Sequence, residues 1–141
     1  RLSCGLVVLL SALPMPTRFM VRVETSFEAA HSLRQYRGAS EPLHGHSWRV
    51  VVMAGSEQLD RDGLAVDFVS LQAALAGLVA PLRHRNLNEV APFDRLNPSA
   101  ENLALWLAQG LEQNQAAGAG RLVAVEVWEG PGCAATYYLP G

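Results

Sequence analysis

Apolar and polar residues alternate from Phe19 to Thr25, with Phe19, Val21, Val23 and Thr25 on one face and Met20, Arg22, Glu24 and Ser26 on the other. A period of two predicts a half-buried strand. A second alternating run sets His46, Trp48, Val50, Val52 and Ala54 against Ser47, Arg49, Val51 and Met53, and predicts a strand over 44–54 that stops at Gly55-Ser56. Between the two, Ser32 to Pro42 is polar and aperiodic, a loop long enough to carry function rather than merely connect. Leu59 to Gly63 reads as a turn. After it, Asp67 can cap a helix on which Phe68, Leu71, Leu75, Leu78 and Leu82 recur at helical spacing, with Pro81 marking its end region.

Residues 83–97 read as a loop, and Pro98 in a first turn, with Glu101 favouring the helix dipole, opens a second helix. Its stripe is Leu103, Trp106, Leu107 and Leu111, and the Gly/Ala-rich run Ala116 to Gly120 ends it. Val123, Val125, Val127 and Glu129 then alternate with Leu122, Ala124, Glu126 and Trp128, a strand with a carboxylate at the end of an apolar face. Gly130 to Cys133 turns the chain, and Ala135 to Leu139 returns as the last strand. The order β-β-α-α-β-β predicts an α+β fold, an antiparallel sheet with two helices on one face.

Half of the 141 residues are hydrophobic, enough for one domain with a real core, expected over 18–141, and short enough for an oligomer to add stability. Residues 1–17 read as an N-terminal extension, disordered or opportunistically packed. Its apolar run Gly5 to Leu10 has the length of a signal-peptide core but a weak basic start and a poor cleavage site at Ser11 to Pro14, and is too short to span a membrane. A net charge of −2, with no basic cluster, excludes a nucleic-acid surface and leaves small-molecule chemistry. Cys4 and Cys133 have no metal or disulfide-framework spacing, which fits a reducing, cytoplasmic setting.

The candidate chemistry lies in the histidines. On a strand, His44 and His46 share a face, with Gly45 between them leaving room for close approach, and His31 lies a loop's length upstream. The bland reading is a surface pair and an unrelated loop histidine. The other is three nitrogen ligands with an open fourth position, the arrangement of a catalytic zinc rather than of a harder cation.

Phe27-Glu28-Ala29-Ala30-His31 followed by Leu43-His44-Gly45-His46-Ser47-Trp48 resembles the zinc motif of the 6-pyruvoyltetrahydropterin synthase and 6-carboxytetrahydropterin synthase family. The resemblance implies the tunnelling fold, zinc on His31, His44 and His46, and a pterin substrate such as 7,8-dihydroneopterin triphosphate. It also implies homo-oligomers with active sites between subunits. Val127-Trp128-Glu129 resembles the setting of the family's pterin anchor, since a carboxylate can accept two hydrogen bonds from an aminopyrimidinone edge. Pro98-Ser99-Ala100-Glu101 is similar to the family's segment at the start of the second helix, where Ser99 and Glu101 either meet substrate or only cap the helix.

Two positions depart from the family. Ser40 stands where the pyruvoyl and carboxy enzymes carry a catalytic cysteine, and a serine hydroxyl cannot serve unaided. Arg83 replaces the carboxylate that pairs with the family's catalytic histidine, here His84, and removes its orienting hydrogen bond. Glu41 in Glu41-Pro42-Leu43-His44-Gly45-His46 resembles a third branch that carries a glutamate instead of the cysteine and releases 6-hydroxymethyldihydropterin for folate synthesis. Glu41 and His84 are therefore the acid/base candidates. Arg83 and Arg85 are either solvated loop charges or partners for a substrate phosphate. The implied function is a zinc-dependent lyase acting on a pterin side chain. The alternatives are 6-carboxytetrahydropterin synthesis in the queuosine pathway, and a zinc- and pterin-binding protein without turnover.

Overall fold

The computed structural model describes residues 17–141; the expected N-terminal extension up to residue 16, with its signal-like run and Cys4, lies outside the described residues. Strands β1 (Phe19–His31), β2 (His44–Ser56), β3 (Arg121–Gly130) and β4 (Cys133–Tyr138) form one sheet in the order β1-β2-β3-β4, every neighbour antiparallel. Helices α1 (Phe68–Val79) and α2 (Ala100–Gln113) lie between β2 and β3 in the chain and cover one face. This is the β-β-α-α-β-β order that the hydrophobic pattern predicts.

Asp67 caps α1 by accepting from the Val69 amide at 2.9 Å, and Leu71, Leu75 and Val79 line its buried stripe. On α2 the buried stripe runs through Leu103, Leu107 and Leu111. Both stripes close on Phe27, Trp48, Val50, Val125 and Val127 of the sheet. Each fully buried side chain of this kind stabilises the fold by about 1.5–3 kcal/mol. The helices approach closely where Gly110 faces Leu78: a Cβ there would lie 2.7 Å from Leu78 Cδ2.

Several boundaries differ from the expectation, β4 among them, which runs Cys133–Tyr138 rather than Ala135 to Leu139. β1 does not stop near Thr25 but continues to His31, because Phe27 and Ala29 keep the apolar side inward and every residue stays paired with β2. Leu82 lies beyond α1, in a short 3₁₀ turn over Ala80–Leu82, where Pro81 has no N–H to continue an α-helix. Pro98 precedes α2 rather than sitting in its first turn; Ser99 is the N-cap, its Oγ accepting from the Asn102 amide at 3.1 Å. The expected loop over 83–97 contains a turn of helix, Leu87–Glu89, capped by the Asn86 side chain.

Among the described residues no helix lies on the other face of the sheet. There Arg49 pairs with Glu24 at 2.8 Å and stands over the Trp128 ring, 5.7 Å from its centroid. Among the described residues no helix is long and apolar enough to cross a membrane.

Candidate metal centre

The extension of β1 decides the geometry of the site. It makes His31 the last residue of β1 and pairs it directly with His44, the first residue of β2. His46 follows on the same face, and Glu129 reaches that face from the end of β3. One ligand atom from each of His31, His44, His46 and Glu129 falls in a group whose members all lie within 4.8 Å of one another. His31 is fully buried, and its ring meets the edge of Trp48 with centroids 4.8 Å apart. The sequence presents Glu129 only as an anchor for a substrate; the structure brings it among the histidines.

The hydrogen bonds dictate which nitrogens are free. A carbonyl can only accept, so His31 Nδ1 donates to Pro98 O at 2.7 Å and His44 Nδ1 donates to Pro42 O at 2.7 Å. In their neutral forms both Nε2 atoms therefore carry lone pairs, and they face each other at 3.1 Å. Glu129 Oε1 stands 2.8 Å from His31 Nε2 and 3.2 Å from His46 Nε2. His46 Nε2 is buried without a hydrogen-bond partner. Lone pairs and a carboxylate aimed at one point repel unless a proton or a cation lies between them. The donor set fits a divalent metal with nitrogen preference, and the two carbonyls fix ring orientation as outer partners of such ligands do.

Burial lowers the His46 pKa from the usual histidine value; the charge of Glu129 opposes that shift, and His31 and His44 reinforce it. The net effect keeps His46 neutral at pH 7, the form that binds a metal.

Glu41 stands at the rim, its Oε1 3.9 Å from His44 Nε2. The same oxygen accepts from the Leu33 amide at 3.0 Å, and the Glu41 amide returns a bond to Leu33 O at 3.1 Å. The loop that carries it is pinned by two side-chain amides. Asn88 exchanges hydrogen bonds with the Ser32 backbone at 2.8 and 2.7 Å, and Asn97 does the same for Arg34 at 2.7 and 3.1 Å. The sequence gives no sign of these asparagines or of the Pro42 and Pro98 carbonyls, because backbone acceptors have no residue signature and the asparagines lie far along the chain.

The other candidates are not members of that group of ligand atoms. Ser99 spends its hydroxyl as the cap of α2, and Glu101 is exposed in the first turn. His84 is exposed and borders an open cleft of about 360 Å³ with Glu28, Ala30, Gly45, Arg85 and Asn86, and His46 lines the same cleft. By strand alternation Glu28, Ala30 and Gly45 stand on the face opposite the imidazoles. A Cβ at Gly45 would meet nothing nearer than Ala29 O at 3.9 Å, so the approach of the two histidines does not require glycine. A cavity of about 530 Å³ beside Asp60 and Asp67 lies at the other end of the sheet and holds no such cluster among the described residues.

Comparison with known proteins extends this picture. A dihydroneopterin monophosphate aldolase of Pyrococcus furiosus is 34% identical over 116 residues, 82% of this chain and 92% of that protein. A 6-carboxy-5,6,7,8-tetrahydropterin synthase of a Synechocystis species is 37% identical over 127 residues, 86% of this chain and 95% of that one. The 6-pyruvoyl tetrahydropterin synthase of Caenorhabditis elegans superposes with a TM-score of 0.72 at 23% identity, covering 89% of this chain and 100% of the other. That likeness establishes the tunnelling fold. The family model for 6-pyruvoyl tetrahydropterin synthase matches residues 20–140, and with relatives this similar over most of its length the chain belongs to that family.

Proposed function

We propose that this chain is a zinc-dependent lyase that cleaves a carbon–carbon bond in the side chain of a 7,8-dihydroneopterin phosphate and releases 6-hydroxymethyldihydropterin. The observation that carries this reading is the Glu41 carboxylate beside His44, in a chain with Ser40 where the cysteine-dependent enzymes have their base. The similarity to the Pyrococcus aldolase supports it.

Held by His31, His44 and His46, zinc would polarise the hydroxyls of the side chain. Glu41 is tethered through Oε1 to the Leu33 amide, which fixes the carboxylate at the rim while it takes a proton. In the proposed step Glu41 removes the proton of the C2′ hydroxyl, C2′ becomes an aldehyde, and the C1′–C2′ bond breaks. Its electron pair enters the C6–N5 imine, and C1′ then regains a proton from an acid, the role proposed for His84. The reading includes a homo-oligomer with active sites between subunits, in which His84, exposed on the segment that pairs with the outer edge of β1, meets the substrate of a neighbouring copy.

Glu129 is assigned to the pterin head group, whose aminopyrimidinone edge offers it two hydrogen bonds. Its 2.8 and 3.2 Å approaches to His31 and His46 favour a second role, a fourth metal ligand that would close the site. Similarity to the Synechocystis enzyme favours a second reaction, synthesis of the 6-carboxy pterin. The test is to incubate zinc-loaded wild type and Glu41→Gln with 7,8-dihydroneopterin monophosphate and triphosphate and to identify every pterin product by mass. The expected result is 6-hydroxymethyldihydropterin that disappears in the variant. A 6-carboxy product would establish the second reaction, and tight pterin binding without product would mean a binding protein.

A further inference from the structure

The segment after α1 carries two arginines, Arg83 and Arg85, whose surroundings are unequal. Arg83 turns back onto β1: its guanidinium donates to Ser26 O at 2.9 Å and to Thr25 Oγ1 at 3.3 Å. The backbone continues the attachment, with His84 N donating to Glu28 O at 2.6 Å and Ala30 N donating to Arg85 O at 2.9 Å. His84 adopts the left-handed conformation, φ 57°, that this course requires, an uncommon one for a residue with a side chain. Strain of this kind persists where surrounding contacts over-determine it, and it clusters at binding sites. The strap therefore holds Arg85 by its own carbonyl on the edge of β1.

Among the described residues the guanidinium groups of Arg22, Arg61, Arg85 and Arg95 have no hydrogen bond or ion pair, and of these Arg85 borders the cleft. All eleven basic residues of the chain are arginines, and Arg34, Arg49, Arg83 and Arg121 have their guanidinium groups engaged by protein oxygens. Arg85 borders the open cleft together with His84 and Asn86. The Asn86 Oδ1 accepts from the Asn88 amide at 3.1 Å, which leaves its NH₂ group as a donor. The one carboxylate on the cleft, Glu28, accepts from Ser47 Oγ at 2.7 Å. Gly45 keeps the floor bare, where a side chain would cost the fold no clash.

We propose that Arg85 and the Asn86 amide, carried on the same segment as His84 and facing the same substrate, form an anion subsite that receives the phosphate end of its side chain. A guanidinium offers paired donors to phosphate oxygens, and a strap fixed before binding loses little freedom on doing so. The proposal rests on the pterin reading above and sharpens it, because it makes the chain selective for phosphorylated over unphosphorylated side chains. Arg83 takes no part in that contact.

The experiment compares wild type, Arg85→Ala and Arg85→Lys for binding of 7,8-dihydroneopterin monophosphate and of unphosphorylated 7,8-dihydroneopterin, at low and high salt. A charge-assisted contact predicts that Arg85→Ala weakens the phosphorylated ligand by roughly tenfold or more and leaves the other unchanged, with partial recovery in Arg85→Lys. Equal weakening of both ligands, or of neither, overturns the proposal. A wild type that binds neither pterin would refute the pterin reading, and the subsite is then judged with inorganic pyrophosphate on the metal-free protein. Broadening of its ³¹P signal by wild type and not by Arg85→Ala supports the subsite; no broadening by wild type overturns it.

Discussion

β1 and β2 meet at both ends of the sheet, His31 against His44 at one and Phe19 against Ser56 at the other, and polar residues gather at each. At the far end their oxygens are spent on the chain itself. Asp60 Oδ1 accepts from the amides of Asp62 at 2.8 Å and Leu64 at 2.9 Å, and Asp67 caps α1. At the histidine end, backbone carbonyls take the outer nitrogens of His31 and His44, and the remaining lone pairs converge with Glu129. A larger cavity lies at the far end, yet among the described residues no cluster of metal-ligating side chains converges there. Free donor atoms facing one another, more than cavity size, distinguish a site from a well-made turn.

The strongest way to break this contrast is His44→Ala. Removal of one of the proposed metal ligands should cost more than the roughly 10–100-fold in metal affinity typical of outer partners, whereas Asp60→Ala should leave metal affinity unchanged. Equilibrium dialysis with metal analysis of both variants checks it. Acid should act on the same end. Because the folded protein holds His46 below its usual value of 6.5, protonation opposes both metal binding and folding. Metal retention and stability should be intact above that value and decline as the pH falls through the lowered one. A graded pH series on the loaded protein would show it, and a metal content that stays constant down to pH 5 would speak against histidine ligands.

Trp48 sharpens the comparison because it belongs to both the core and the site. Its indole is fully buried, donates to Ala29 O at 3.1 Å, and meets the rings of His31 and His46. Trp48→Ala should lower stability by about 3–5 kcal/mol in denaturant melts and weaken metal binding as well. The smallest effect is expected at the far end. Asp67→Ala removes only a cap, costs about 1 kcal/mol, and should leave metal binding as in wild type.

The histidine end was legible in part. Alternation places His44 and His46 on one face, and the motif around them carries the family. The continuation of β1 to His31 follows the same alternation through Phe27 and Ala29, which a reading that ended the strand at Thr25 did not use. The entry of Glu129 into the group was not legible, because it depends on how β3 registers against β2 across a long stretch of chain. Nor was the course of the segment that carries His84, which pairs with the outer edge of β1. Arg83, read as a loss to the catalytic pair, proves to be part of that attachment.

The most direct test of an open three-histidine centre is the zinc content and pterin affinity of Glu129→Gln. With three histidine ligands and Glu129 reserved for the pterin, the variant keeps stoichiometric zinc and loses pterin affinity. If zinc is lost instead, Glu129 is a fourth ligand, and the site is a closed structural one.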